Sequence, residues 1–426
     1  MKVLVLSQFW HPENGVPQRR WTWLSGLFVQ KGVEVVVIAP PPHYRRNVSF
    51  KEALKSFRIA SVPESGVAGE KIYRSPFIPS CESLIARALS QAFIAKGALL
   101  AAAIRWAGIR KVDVVVGTVP ALPTAVVSFL IARVAGVPYV IDLRDAWPDL
   151  MREYSSWNRA LETQPTHHKR LKPKLVQALS YVVQQGLNAL LARADAIIVT
   201  SDELGKQLST GVERSHCQKI VTLRNVFPSN LSMTAARNPL VDRPLRVLYA
   251  GTLGRAQNLK NVIDAVRTAQ QRGVPIELAF VGGGAAVDAL REYAEMKDVD
   301  ASFYHVRSAS EVVSFYDWAD TALVHLTDWE PLNRAVPSKA YELMSAGVHI
   351  TGVVAGETAK IIRELNAGDV VPPERPQELA ELFAELYACP DRLLVSDEGR
   401  LWVNREREVV VQKRVDELID WIGKVN

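Results

Sequence analysis

Cysteine is scarce in this chain: Cys81, Cys217 and Cys389 are the three among 426 residues, and they lie far apart. An odd, scattered set excludes a disulfide framework and a cysteine-built zinc site, and it fits a reducing cytoplasm. Uninterrupted apolar runs are also missing. The longest, Leu84 to Gly108, is broken by Arg87, Lys96 and Arg105, which argues against a membrane-spanning helix. The apolar start Met1–Leu6 turns polar at Ser7, so it reads as a first strand and is too short for the core of a signal peptide. No internal repeat or low-complexity tract appears, which removes solenoid and disordered classes. Metal-ligand spacing is lacking too: His167 and His168 adjoin Lys169, Arg170, Lys172 and Lys174 and read as a basic surface segment, and Asp298-Val299-Asp300 reads as a solvated turn. Without an aromatic stacking platform or a recognition motif, nucleic acid is not an expected partner.

What is present is an ordinary soluble composition, 48% hydrophobic and 23% charged, on a chain longer than one core usually serves. Strand-like apolar runs alternate with helical patterns from end to end, the signature of an α/β protein with parallel sheets covered on both faces. In the first half the strands read 2–7, 33–39, 112–117, 139–143 and 196–200. The less periodic stretch Pro40–Pro79 reads as a long functional loop. Residues 227–244 are poor in apolar periodicity and contain three prolines, and they read as a linker. A second αβ series follows, with strands at 245–250, 276–281, 301–306, 321–325, 349–353 and 368–371. The expected domains are therefore 1–235 and 240–400, with an amphipathic helix at about 405–426 that can pack back on the first. Residues 1–240 hold 30 basic and 16 acidic side chains, whereas residues 241–426 hold 21 and 29. So uneven a balance suits a first domain that meets something anionic, such as a membrane surface or a phosphorylated acceptor, through Arg45, Arg46, Lys51, Lys55 and the helix with Arg87, Lys96 and Arg105; a merely soluble basic surface accounts for it equally well.

Three glycine-bearing loops join a strand to a helix, where backbone N–H groups and a positive helix end can receive a phosphate. They are Ser7–Gly15, Tyr249–Arg255 with Gly251, and Val281–Gly284 with Gly282 and Gly283. None matches a dinucleotide fingerprint or a phosphate loop, and each taken singly is a tight turn. Together, at matching places in two α/β domains, they outline the crevice at which open parallel sheets bind ligands. Arg255 and Lys260 can then neutralise a diphosphate without a metal ion. The densest stretch runs from Trp329 to Glu342 into a helix. Ser338 reads as its N-cap, Lys339 adds positive potential, and Glu342 stands one turn in, where a carboxylate can reach both hydroxyls of a ribose.

Five stretches make the chain resemble the family 4 glycosyltransferases of GT-B fold, especially the branch that builds bacterial surface polysaccharides. They are Ser7–Gly15, Asp142-Leu143-Arg144-Asp145-Ala146-Trp147-Pro148, Ala194–Ile197 with Ser201, Tyr249–Arg255, and Val336–Gly347 followed by Gly356-Glu357 and Val371-Pro372-Pro373. The resemblance implies two Rossmann-like domains facing each other across a cleft. It implies a nucleotide-diphosphate sugar, a UDP-sugar by preference, seated on the second domain with Gly251, Arg255 and Lys260 near the diphosphate, Glu342 on the ribose and the backbone around Val306 on the base. Gly15 would approach the phosphate from the first domain, and Arg144 or Asp145 would face the reacting sugar and the acceptor. The expected reaction moves a hexosyl or N-acetylhexosaminyl group to a hydroxyl of a glycan or polyprenyl-linked acceptor, with retention and with neither metal nor cofactor, in the cytoplasm or on the inner face of the membrane. Two departures stand out: Arg334 occupies the place where many relatives carry a second glutamate, and Arg144 replaces a frequent histidine. A sugar-nucleotide epimerase of the same fold and a catalytically silent nucleotide-sugar-binding subunit are the competing readings.

Overall fold

The computed structural model describes residues 1–13, 15–42, 63–78, 84–119, 121–156, 173–210, 218–228 and 242–425. Arg45, Arg46, Lys51, Lys55, Cys81, His167, His168, Cys217 and most of the expected linker lie outside these residues. Contacts divide the chain into two units, Met1–Pro148 with Tyr181–Phe227 and Val409–Asn426, and Asp149–Ser180 with Pro228–Glu408. The sequence places residues 149–180 in the first domain, whereas the described residues among them, 149–156 and 173–180, fall in the second unit.

In the first unit, in chain order, lie β1 (Lys2–Leu6), α1 (Val16–Gln30), β2 (Glu34–Ala39), β3 (Glu64–Ser65), β4 (Lys71–Arg74), α2 (Leu84–Ile104), β5 (Val114–Val119), α3 (Leu122–Ala135), β6 (Tyr139–Leu143), α4 (Pro173–Arg193, which begins in the second unit), β7 (Ala196–Val199), α5 (Asp202–Thr210) and β8 (Lys219–Thr222). The sheet order is β3-β4-β2-β1-β5-β6-β7-β8, parallel except for the β3–β4 pair. Val3, Leu4, Val5 and Leu6 are all buried, as a central strand covered on both faces requires. The strands β3 and β4 correct the expectation of a loop throughout Pro40–Pro79. Each is too short to show a period, and only Ile72 and Arg74 of β4 are buried.

The second unit contains β9 (Leu245–Thr252), α6 (Lys260–Gln271), β10 (Ile276–Gly283), α7 (Val287–Met296), β11 (Ala301–Tyr304), α8 (Ala309–Trp318), β12 (Thr321–His325), α9 (Ser338–Ala346), β13 (His349–Val353), α10 (Gly356–Glu364), β14 (Gly368–Val371), α11 (Pro376–Ala388) and α12 (Glu398–Arg405). All six strands are parallel, in the order β11-β10-β9-β12-β13-β14. The order reverses beside β9, and the carboxyl ends of β9 and β12 therefore flank the point at which such sheets receive ligands.

The final helix α13 (Val411–Val425) buries Val411, Val415, Leu418 and Ile422, one stripe of an amphipathic helix. It belongs to the first unit, where Arg414 donates to the Thr222 carbonyl at 2.8 Å.

Candidate functional site

At the carboxyl edge of the second sheet, backbone replaces side chain. Gly282 pairs in register with Gly251, and its φ of 147° is one that L side chains rarely adopt. A Cβ on Gly282 would overlap the Gly251 carbonyl oxygen, and one on Gly284 would overlap that of Leu253. Leu253 N–H donates to the Gly283 carbonyl at 3.0 Å, and Ala286 N–H to Leu253 at 3.0 Å, so the two loops are stitched edge to edge. Val306 adjoins them: a Cβ on Gly283 would lie 3.1 Å from its Cγ2.

From β9 the chain runs through the short 3-10 turn Arg255–Gln257 into α6, whose first residue is Lys260. Lys260 and Arg255 are both part-buried, and the Lys260 ammonium lies 5.3 Å from the Tyr293 ring centroid. A cation at the first position of a helix stands at the unfavourable end of the macrodipole, at a cost of about 0.3–1 kcal/mol. Lys339 repeats the pattern as the second residue of α9. Its Nζ lies 2.8 Å from Glu342 Oε2 and 3.2 Å from the Tyr316 hydroxyl. Burial works against the ammonium, but Tyr316 and Glu342 outweigh it and raise the pKa of Lys339.

Pro337, not Ser338, is the N-cap of α9, and no side chain caps this end. Pro337 has φ −59° and ψ 134°, extended at ψ, and is the last residue before the helix, which leaves Ser338 as the first helical residue. The turn before it is held by Thr358, whose hydroxyl donates to the Ala335 carbonyl at 2.7 Å. Arg334 pairs with Asp149 at 3.0 Å and with Glu330 at 2.5 Å, so both carboxylates are engaged by the arginine that departs from the family pattern.

Four residues that sequence reasoning missed fix this edge. Thr327 N–H donates to the Ala256 carbonyl at 2.9 Å, and its hydroxyl donates to Glu374 at 2.7 Å. Asn261 Nδ2 lies 3.1 Å from His325 Nε2. The end of β12 thereby pins the segment that carries Arg255 and Lys260. His325 is the last residue of a wholly buried strand, and nothing in its sequence neighbourhood distinguishes it from a core position.

The buried His325 ties the stability of this edge to pH. Burial depresses its pKa to about 3, against a hydrogen bond with the Gln257 backbone that raises it. An unfolded histidine titrates near 6.5, so as pH falls below that value the unfolded chain takes up a proton that folded His325 refuses until about pH 3. The stability held above about 6.5 is therefore lost progressively on acidification. Near pH 5 this one group should cost about 2 kcal/mol. Urea denaturation of wild type and His325→Gln at pH 7 and 5 checks it, and equal pH slopes in the two proteins would exclude the effect.

The remaining predicted residues belong to the first unit. Gly15 caps α1 in an extended conformation with φ −95°, which any residue adopts; a Cβ there would meet the Gln18 side-chain oxygen. Arg144 Nε donates to the Val119 carbonyl at 3.0 Å, and Thr200 donates to the Arg144 carbonyl at 2.7 Å. Asp145 is exposed, yet the surrounding protein disfavours its charge and raises its pKa; Arg144 opposes this and Asp142 adds to it. Asp298 sits in a left-handed turn with φ 54° and pairs with Arg267 at 3.0 Å. Among the described residues, no group of three His, Cys, Asp or Glu side chains is placed to hold a metal ion.

Two family models match the chain. One, described as a glycosyl transferase 4-like domain, covers residues 15–225, and the other, glycosyl transferases group 1, covers residues 234–399. A curated relative, the putative colanic acid biosynthesis glycosyl transferase WcaI of Escherichia coli (strain K12), is 24% identical over 82% of each chain. Among solved structures, sucrose-phosphate synthase from Thermosynechococcus elongatus superposes over 100% of each chain with TM-score 0.72 at 14% identity. HepE of Anabaena, solved in complex with UDP-glucose, matches 99% of each chain with TM-score 0.62 at 15% identity.

Proposed function

Since the chain belongs to the family 4 glycosyltransferases of GT-B fold, we propose that it transfers a hexosyl or N-acetylhexosaminyl group from a UDP-sugar to a hydroxyl of a glycan or polyprenyl-linked acceptor in cell-surface polysaccharide synthesis, with retention and without a metal ion. One observation carries the reading. Two helices at the carboxyl edge of one sheet, α6 and α9, carry a lysine in the first turn, Lys260 at the first position and Lys339 at the second, where the helix dipole disfavours a cation, beside strand ends stripped to glycine backbone. An unfavourable cation retained at two such ends makes sense where a dianionic diphosphate offsets it.

In this scheme Gly251, Gly282 and Gly283 admit the diphosphate to backbone contact, and Arg255, Lys260, Lys339 and the start of α9 at Ser338 neutralise it. Glu342, held by Lys339, takes the ribose hydroxyls, and the backbone near Val306 meets the base. The bond from the anomeric carbon to the phosphate oxygen breaks with its electron pair on the diphosphate. The acceptor oxygen forms the new bond on the same face, and its proton passes to the departing diphosphate. Gly15 is assigned to the donor's phosphate from the first domain, and Arg144 and Asp145 to the reacting sugar and the acceptor. The curated relative's description, colanic acid biosynthesis, and the UDP-glucose complex of HepE support the substrate classes.

Ligand-linked stability tests the donor half. A nucleotide sugar at a hundred times its Kd should stabilise the fold by about 2.7 kcal/mol, read as a rise in thermal midpoint. UDP-glucose and UDP-N-acetylglucosamine should raise it in the presence of EDTA, and Glu342→Ala should blunt the rise. No response to any nucleotide sugar would remove the proposal, and an inverted anomeric centre in the product, seen by proton NMR, would remove its stereochemistry.

A further inference from the structure

Lys339 and Glu342 stand three residues apart in the first two turns of α9, and a helix by itself does not hold such a pair well. The lysine precedes the glutamate and lies at the end where the dipole disfavours a cation, the poorer of the two orientations. Yet the pair is joined at 2.8 Å and both side chains are mostly buried. What holds it comes from a neighbouring helix. Tyr316 of α8 is 3% exposed, and its hydroxyl accepts from Lys339 Nζ at 3.2 Å. The ammonium lies 6.0 Å from the ring centroid, so its close contact is with the phenol oxygen and not with the ring face.

The helix that carries Tyr316 is fixed at both ends. It starts with a complete capping box, in which the Glu311 N–H donates to Ser308 Oγ and the Ser308 N–H donates to Glu311 at 2.8 Å. Just beyond its last turn, Asp320 accepts from Arg243 through both carboxylate oxygens at 2.7 Å and from the Arg246 N–H at 2.9 Å. Between these anchors Phe315 packs edge-on against Tyr304, with ring centroids 4.9 Å apart. A helix tied in this way presents one hydroxyl at a set place. That hydroxyl fixes the ammonium of Lys339, and the ammonium fixes the Glu342 carboxylate. An ionised carboxylate has lone pairs enough to accept from Lys339 and from further donors. Receiving two neighbouring hydroxyls of a sugar ring requires that its orientation be set beforehand.

We propose that Tyr316 is a positioning residue that sets the selectivity of this site for ribose: through Lys339 it orients Glu342 to receive both ribose hydroxyls of the nucleotide. The proposal rests on the reading of Glu342 as the ribose ligand and adds a residue that acts through another. Isothermal titration of the full chain with UDP and with its deoxyribose analogue, which lacks one of the two hydroxyls, tests both layers separately. Wild type should bind UDP at least about tenfold more tightly than the analogue, which leaves the oriented carboxylate short of a donor. Tyr316→Phe keeps the ring and removes only the oxygen. It should bring that ratio to about threefold or less, with the affinity for the analogue close to wild type and the thermal midpoint within a few degrees of it. Lys339→Gln also withdraws charge from the diphosphate, so it should weaken both nucleotides and lower the ratio to the same level; adding Tyr316→Phe to it should lower the ratio no further. Wild type that binds neither nucleotide, or both alike, would remove the ribose assignment and this proposal with it. A preference that survives in Tyr316→Phe, or a fall of both affinities by one factor, would leave Glu342 in place and overturn the role of Tyr316. Were Tyr316→Phe to unfold, the ratio in Lys339→Gln decides alone, and an undiminished ratio there overturns the proposal as well.

Discussion

Replacing Lys260 with alanine should lower kcat by about a hundred- to a thousandfold, the usual cost of removing one fixed group that stabilises transition-state charge, while the thermal midpoint hardly moves. The two expectations come from different ledgers of the same side chain. In the free protein Lys260 gains about 0.5–1 kcal/mol from the Tyr293 ring 5.3 Å away. It loses a similar 0.3–1 kcal/mol by placing a cation at the start of α6. These two contributions are of similar size and opposite sign. When the sugar departs in the proposed reaction, negative charge grows on the diphosphate, and the ammonium stabilises it. Lys260→Arg should recover part of the rate, because it keeps the charge and changes the donor geometry. Steady-state release of UDP from a nucleotide sugar that protects the wild type, measured beside thermal unfolding, checks both halves. A Lys260→Ala enzyme with full turnover would break the assignment of this residue, and one with lost turnover and a collapsed midpoint would make its role structural.

The fold was legible because parallel strands covered on both faces must be written as short continuous apolar runs. Val-Leu-Val-Leu after Lys2 and Thr-Ala-Leu-Val-His at β12 are such runs, and they read as strands unaided. The short strand β4 was not legible, because four residues with Ile72 as the single apolar member that is fully buried carry no period. In the candidate site, glycines and lysines at strand and helix ends were visible because their chemistry is local. The anchors were not. Thr327 reaches Glu374 across 47 positions and Asn261 reaches His325 across 64, and a hydrogen bond spanning such a distance leaves no spacing to find. Ser338 misled for a related reason: serine before an apolar run is the common cap, but here the proline in front of it holds the cap position and the hydroxyl makes no capping bond.

The same blindness hid the largest stability effect. Arg20 and Asp142 are fully buried in the first unit, joined at 2.9 Å, on α1 and β6 respectively. Asp142 also accepts from the Trp21 indole at 2.9 Å, while Arg20 donates to the Leu223 carbonyl at 2.7 Å and to Asn225 at 3.0 Å. Arg20→Ala strands the fully buried carboxylate with the Trp21 donor and should cost about 3–5 kcal/mol, read as a fall in the urea midpoint of the transition that includes the first unit. Arg20→Met/Asp142→Leu, which removes both charges, should recover most of that loss, because two desolvation costs disappear together with the attraction. A single variant that loses under about 1 kcal/mol would mean the pair is hydrated in solution. Since Asp142 stands two residues before Arg144, the double variant also separates two duties of the pair. If stability returns and turnover does not, the ion pair sets the position from which Arg144 and Asp145 leave β6; if both return, it serves packing alone.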